Sequence, residues 1–195
     1  RGLERFQDPQ AAVEMMTNGS TPISRYYFQP NVGGDYALMF GMLKHLREWD
    51  IQALAAGKKS VFDRSFIEMN TVGFDAMMEE IDRTEWSDIH THTGLSPEHL
   101  ESLAKMYLDA KTAIFCWGMG ITQHRHGTAN VHMLANLMLA RGHIGRPGAG
   151  LAPIRGHSNV QGDRTMGINE LPSTKLLDNI DRVFGIKSPR EHGFG

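Results

Sequence analysis

The chain has almost no cysteine, no long apolar run and no dominant charge, and each lack removes a class of protein. A single cysteine, Cys116, stands among 195 residues. No internal disulfide can form, and the chain fits a reducing, cytoplasmic compartment. Because Cys116 sits inside an apolar run, a buried and inert thiol is expected. No stretch of about 18 consecutive apolar residues occurs, so no membrane span is expected. The opening residues, RGLERFQDPQ, are polar and carry no secretory signal. A net charge of −2 speaks against a dedicated nucleic-acid binder. The dinucleotide fingerprint GxGxxG is also missing: GMGITQ, at 118–123, lacks the third glycine, which counts against an ordinary nicotinamide-dependent enzyme.

What remains is a chain with 41% hydrophobic residues, enough for one domain or one and a part. It begins at Arg1 and stops at REHGFG, and is expected to be an internal piece of a longer polypeptide. Residues 1–24 read as a connecting segment with a short helical stretch around Pro9–Met16. RYYFQ, at Arg25–Gln29, reads as a strand ended by Pro30. Gly33–Gly34–Asp35 follows, with Asp35 as N-cap of a helix whose Met39, Met42, Leu43 and Leu46 recur at i, i+3, i+4, i+7. Short helices are expected near Ser60–Met69 and Phe74–Ile81, then a loop over 84–95. Ser96–Pro97 opens a further helix, with Ser as cap and Pro in the first turn. TAIFCW, at Thr112–Trp117, reads as a strand covered on both faces. Thr128 can cap the next helix, which Gly142 ends. Residues 142–172 read as a long loop, and Ser173 caps a last helix through Leu176, Leu177, Ile180 and Phe184. Strands alternating with helices predict a helix-rich α/β layered fold holding part of a parallel sheet.

The segment Gly118–Gly167 is compositionally apart. It holds ten of the chain's 21 glycines, five arginines, no lysine and one acid, Asp163, so its formal charge is +4. Glycines let backbone approach a ligand closely, and backbone N–H groups with Arg forks suit phosphate. Two junctions share a strand–glycine–helix order, Gly33–Asp35 after RYYFQ and Gly118–Gly120 after TAIFCW. In open α/β sheets, such junctions hold nucleotides, with phosphate at the helix N-terminus. The H-x-H-x5-H set of His124, His126 and His132 lacks a carboxylate or thiolate to complete a metal site, and solvated or ligand-contacting imidazoles fit it better. Arg155–Gly162, RGHSNVQG, offers a guanidinium, an imidazole and two amides that could hold an anion and relay a proton.

The strings WGMGITQHRHGT and LARGHIGRPGAGLAPIRGHSNVQGDRTMG resemble the molybdopterin oxidoreductase family, and most closely its formate dehydrogenase alpha-subunit-like branch. GGDYALMFGMLKHL, at Gly33–Leu46, is similar to that family's upstream helix start. The resemblance covers nearly the whole chain. It implies the second half of a Rossmann-like dinucleotide-binding domain over 25–157 and the start of an adjacent α/β domain over 158–195. It implies a molybdenum bis-molybdopterin guanine dinucleotide cofactor, a small anionic substrate such as formate, and a partner subunit that accepts electrons. Any iron–sulfur cluster and the metal's protein ligand would belong to the region upstream of Arg1. Gly33, Gly34 and Asp35 match guanosine-contacting positions. Gly118, Met119, Gly120 and Gln123 match cofactor-contacting positions, as do His157 and Gln161. Arg155 matches the arginine that orients the substrate, with His157 expected either to take part in proton transfer or to hold a pterin phosphate. The branch carries R-G-Q-N-N-V-Q-G-A-C-D-M-G; here His157 and Ser158 stand for Q-N, and Asp163–Arg164–Thr165 for A-C-D. The alternative class is a nucleotide-binding module without catalysis.

Overall fold

The computed structural model describes residues 5–17 and 19–191; residues 1–4, at the head of the expected connecting segment, residue 18 within it, and 192–195 lie outside the description. The fold is helix-rich α/β with two small sheets among the described residues. A two-residue strand β1 (Arg5–Phe6) pairs antiparallel with β2 (Thr21–Pro22) around helix α1 (Ala12–Thr17). Five helices follow: α2 (Asp35–Ala55), α3 (Arg64–Asn70), α4 (Phe74–Arg83), α5 (Trp86–Thr93) and α6 (Pro97–Asp109). Strand β3 (Ile114–Trp117), the one-turn α7 (Met119–Thr122), α8 (Gly127–Ala140) and strand β4 (Gly150–Pro153) complete a parallel β–α–β crossover. Ile114 pairs with Gly150 and Trp117 with Pro153. Helices α9 (Val160–Thr165) and α10 (Thr174–Phe184) are the last elements among the described residues. The residues divide into two compact units between Pro153 and Ile154.

In the first unit the core is built on α2. Met39, Met42, Leu43 and Leu46 are all buried, as their spacing predicts, and Leu100, Ala104 and Leu137 from α6 and α8 join them. Burying a Leu side chain contributes about 1.5–3 kcal/mol, so this stripe explains why a 21-residue helix anchors the unit. Gly41 lets α6 close on α2, since a Cβ there would sit 2.6 Å from Leu100 Cδ2. The invisible partner of this apolar face is Asp50. It is fully buried and accepts from Ser60 Oγ at 2.5 Å, Val61 N at 2.7 Å and Arg64 at 2.5 Å. Burial works to raise its pKa, yet those donors outweigh burial and hold the carboxyl below its ordinary value.

Four sequence expectations fail, each for a physical reason. Residues 25–29 form no strand. No neighbouring strand pairs with them among the described residues. Their rings stack instead, Tyr26 on Phe28 at 6.2 Å and Phe28 edge-on to His99 at 5.9 Å. The expected loop 84–95 is mostly α5, fixed by Trp86 Nε1 donating to Glu48 at 2.9 Å and ended by left-handed Gly94. Strand β3 is covered on one face only: Phe115 lies 5.2 Å from Tyr107, whereas Ile114 and Cys116 are exposed, so the buried-thiol reading is corrected. The loop 142–172 contains β4 and α9.

The helix caps divide similarly. Ser96 and Ser173 cap as expected, accepting from His99 N and Leu176 N. Gly34 rather than Asp35 caps α2, and His126 rather than Thr128 precedes α8. Gly142, with φ of 60°, follows the C-cap Arg141 of α8 as expected. In the second unit α10 has no fully buried residue; Leu176, Leu177 and Ile180 are half-buried and Phe184 is exposed.

His143 adds a pH dependence. It is buried against the edge of Tyr107 at 5.5 Å, and its Nδ1 has no partner among the described residues. Burial, then repulsion from Arg141 and Arg146, lowers its pKa against the opposing pull of Asp63. His45 moves the same way: burial lowers it against Glu48 and Glu101. Both unfolded imidazoles titrate near about 6.5, so below that pH the unfolded chain binds more protons than the folded one. Stability is therefore expected to be full above that value and to fall as the pH drops from 7 to 5. Melting midpoints at the two pH values check this, and His143→Phe is expected to shrink the difference.

Candidate functional site

The turn after β3 is the best-defined part of the candidate site. Gly118 is extended (φ −111°, ψ −163°), then α7 turns once, and Gln123 N closes it on Met119 O at 2.7 Å. Gln123 Nε2 donates to Met119 Sδ at 3.4 Å, so these two side chains meet, and both are exposed. Asn130, fully buried in the first turn of α8, donates from Nδ2 to Ile121 O at 2.9 Å. The same nitrogen lies 2.6 Å from His124 Nε2, a contact whose donor depends on the histidine tautomer, and His126 N donates to His124 Nδ1 at 3.3 Å. A Cβ on Gly127 would collide with the Thr122 carbonyl, so α8 docks directly on α7.

Glycines here fall into two kinds. Gly127 is required by the protein's own packing, and so is Gly34, where a Cβ would lie 2.6 Å from His92 O. Gly33 is required by its φ of 83°. Gly118 and Gly120 are required by neither: among the described residues nothing beyond the chain neighbours lies within 4 Å of a Cβ at either one, and neither has positive φ.

The N-terminus of α2 is the second element. Gly34 N donates to Asn31 O and Asn31 N to Thr93 O, both at 2.8 Å, which ties the helix start to the end of α5. Asp35 occupies the first turn, where a carboxylate favours the helix dipole. The shared strand–glycine–helix order fails at the first junction, because residues 25–29 form no strand ahead of Gly33. No hydrogen bond joins Gly33–Asp35 to Gly118–Gln123 among the described residues.

The basic segment does not act as one patch. Arg141 is used inside the fold, donating to Val61 O at 2.7 Å and Leu108 O at 2.9 Å. Arg146 donates to Lys111 O at 3.3 Å and lies 3.7 Å from Asp63. Arg164 grips Glu170 with both nitrogens at 2.6 and 2.5 Å, and that grip pushes the Glu170 carboxyl down to about 2. Arg125, in the first unit, and Arg155, in the second, are exposed and have no hydrogen bond or ion pair among the described residues. His157 and the side chain of Gln161 are likewise exposed in the second unit. Sequence reading missed Asn130 and Arg125; the signal for Asn130 was a polar residue beside the apolar positions of α8. No group of three or more His, Cys, Asp or Glu side chains is arranged to hold a metal ion among the described residues. Nor is any of their helices long and apolar enough to cross a membrane.

The molybdopterin oxidoreductase family profile matches residues 58–188. Protein YdeP of Escherichia coli (strain K12) is 49% identical over 193 residues, 99% of this chain and 25% of that protein. An uncharacterized oxidoreductase of Mycobacterium tuberculosis (strain H37Rv) is 42% identical over 193 residues, 99% of this chain and 24% of its own length. Formate dehydrogenase H of Escherichia coli (strain K12) is 35% identical over 117 residues, 60% of this chain and 16% of that enzyme. The chain thus spans about a quarter of the first two relatives.

Proposed function

Because the chain belongs to the molybdopterin oxidoreductase family, we propose that it is the part of a larger oxidoreductase that holds the guanine dinucleotide end of a bis-molybdopterin cofactor and presents Arg155 and His157 to a small anion such as formate. Residues 25–157 would then belong to a Rossmann-like dinucleotide-binding domain and 158–195 to the start of an adjacent one. The observation that carries this reading is the pair Gly118 and Gly120. Neither packing among the described residues nor a positive φ demands glycine there, and this supports a close approach of a ligand to the backbone.

The residues present suit such a group. Met119 is 55% exposed and offers a flexible apolar surface beside the Gln123 amide. The open N-terminus of α2 offers N–H groups, and Asp35 an acceptor for sugar hydroxyls or a guanine edge. Arg125 is a cation free for phosphate. When bound, the molybdenum–pterin group supplies two-electron redox chemistry. Arg155 holds the substrate anion through a planar, charge-assisted fork. His157 holds or moves a proton at its imidazole nitrogens beside that anion. An electron-accepting subunit and an iron–sulfur cluster complete the proposed assembly, and the support for them is the family resemblance alone.

Asp35→Ala in the full-length protein is the test of the nucleotide end. It is expected to lower molybdenum retained through gel filtration by about tenfold, the cost of one charged hydrogen bond, while turnover per retained metal stays at the wild-type value. Full retention would remove Asp35 from the site.

A further inference from the structure

Helix α7 is four residues long, too short to satisfy its own carbonyls, and Gln123 leaves it with non-helical dihedrals (φ −85°, ψ 50°). Something outside must hold the turn. Asn130 is fully buried, and its Nδ2 reaches both Ile121 O at 2.9 Å and His124 Nε2 at 2.6 Å. Its Oδ1, equally buried, has no hydrogen-bond partner among the described residues. An orphaned buried acceptor costs stability, and an apolar side chain at this position would avoid that cost. The amide is explained by the bond it donates to Ile121 O and its 2.6 Å contact with His124 Nε2, and both end on the segment between Gly120 and Arg125.

We infer that Asn130 is a positioning residue: through Ile121 and His124 it fixes the Gly118–Gln123 turn in the shape that receives the pyrophosphate-linked nucleotide of the cofactor. The inference rests on the cofactor reading above and adds the residue that sets the receiving surface. Asn130 lies behind the turn and touches no ligand itself. Its bond to Ile121 O holds the middle of α7, and its contact with His124 holds the exit. Met119 and Gln123, one turn apart, are thereby presented on the exposed side. The docking of Gly127 on Thr122 keeps α8 close enough for the short amide to reach.

The test uses the full-length protein and three variants: Asn130→Ala, His124→Ala and the double variant. Two quantities are read, amide hydrogen exchange over residues 119–124 and molybdenum retained per chain after gel filtration. Asn130→Ala is expected to speed exchange in that segment about tenfold, with exchange in α2 and α6 unchanged, and to cut retained molybdenum about tenfold. His124→Ala is expected to do the same more weakly. The double variant is expected to be no worse than Asn130→Ala, because both act along one path; a merely structural contribution of each would add. Unchanged exchange, full retention in a loosened turn, or simple additivity overturns the inference. Should Asn130→Ala not fold, His124→Ala decides alone, with loss of retention supporting the inference and full retention overturning it. A wild-type protein without molybdenum or pterin overturns the cofactor reading and the proposed role with it, whereas the exchange data separately report whether Asn130 sets the turn.

Discussion

Arg155→Lys in the full-length protein is expected to reduce turnover per bound molybdenum roughly a hundred- to a thousandfold while the metal content stays at the wild-type level. Arg155 is exposed and makes no hydrogen bond or ion pair among the described residues, so the fold does not depend on it. A guanidinium presents two parallel N–H groups to a carboxylate, and an ammonium presents a point charge. The substitution keeps the charge and removes the fork, which separates orientation of the anion from attraction of it. Turnover with the small anion that the wild-type protein oxidises, formate being the one proposed, divided by molybdenum content, is the measurement. A fully active Arg155→Lys enzyme would take Arg155 out of the substrate site.

The second large effect is expected at Gly118. A Cβ there meets no atom within 4 Å among the described residues beyond its chain neighbours, and the extended backbone accommodates a β-branched residue. Gly118→Val should therefore leave the melting midpoint unchanged or raise it slightly, since the unfolded chain loses freedom. Retention of the cofactor should fall by about 3 kcal/mol, roughly a hundredfold, as the new side chain fills the space the ligand uses. The contrast is Gly127→Val, which drives a side chain into the Thr122 carbonyl and should unfold the junction of α7 and α8 itself. Calorimetry alongside molybdenum analysis separates the two. A Gly118→Val protein that keeps its metal would show that the turn faces solvent only.

Local physics carried much of the fold into the sequence. The stripe Met39, Met42, Leu43, Leu46 needs only helical periodicity to be seen, and the Ser96 and Ser173 caps need only their own hydroxyls. What failed depended on partners distant in the chain. RYYFQ has strand-like composition, but a strand exists only beside another, and here Tyr26 stacks on Phe28 and Phe28 meets His99 edge-on. Helix α5 is short and is held by Trp86 reaching Glu48, 38 residues away. Cys116 looked buried because its run is apolar, yet β3 is covered on one face only. Strand β4 hid inside a glycine-rich stretch because its pairing with Ile114–Trp117 lies across the whole of α8.

The candidate site was legible to a different degree. The glycine string at Gly118–Gly120 and the cluster at Arg155–Gln161 stood out from composition. The formal charge of the segment did not convert into a phosphate patch, because Arg141 and Arg146 serve the fold and Arg164 serves Glu170. Which arginines remain available follows only from where their acceptors sit. Asn130 could be picked out only by its place beside the apolar positions of α8, since a buried amide and a solvated one are the same residue type in sequence.

Metal and nucleotide content of the purified full-length protein tests the central claim most directly. Molybdenum measured per chain, together with guanosine monophosphate released by acid hydrolysis, should show both bound in fixed proportion in the wild type and both lost together in Gly118→Val. A folded wild-type protein that carries neither molybdenum nor guanine nucleotide would contradict the account.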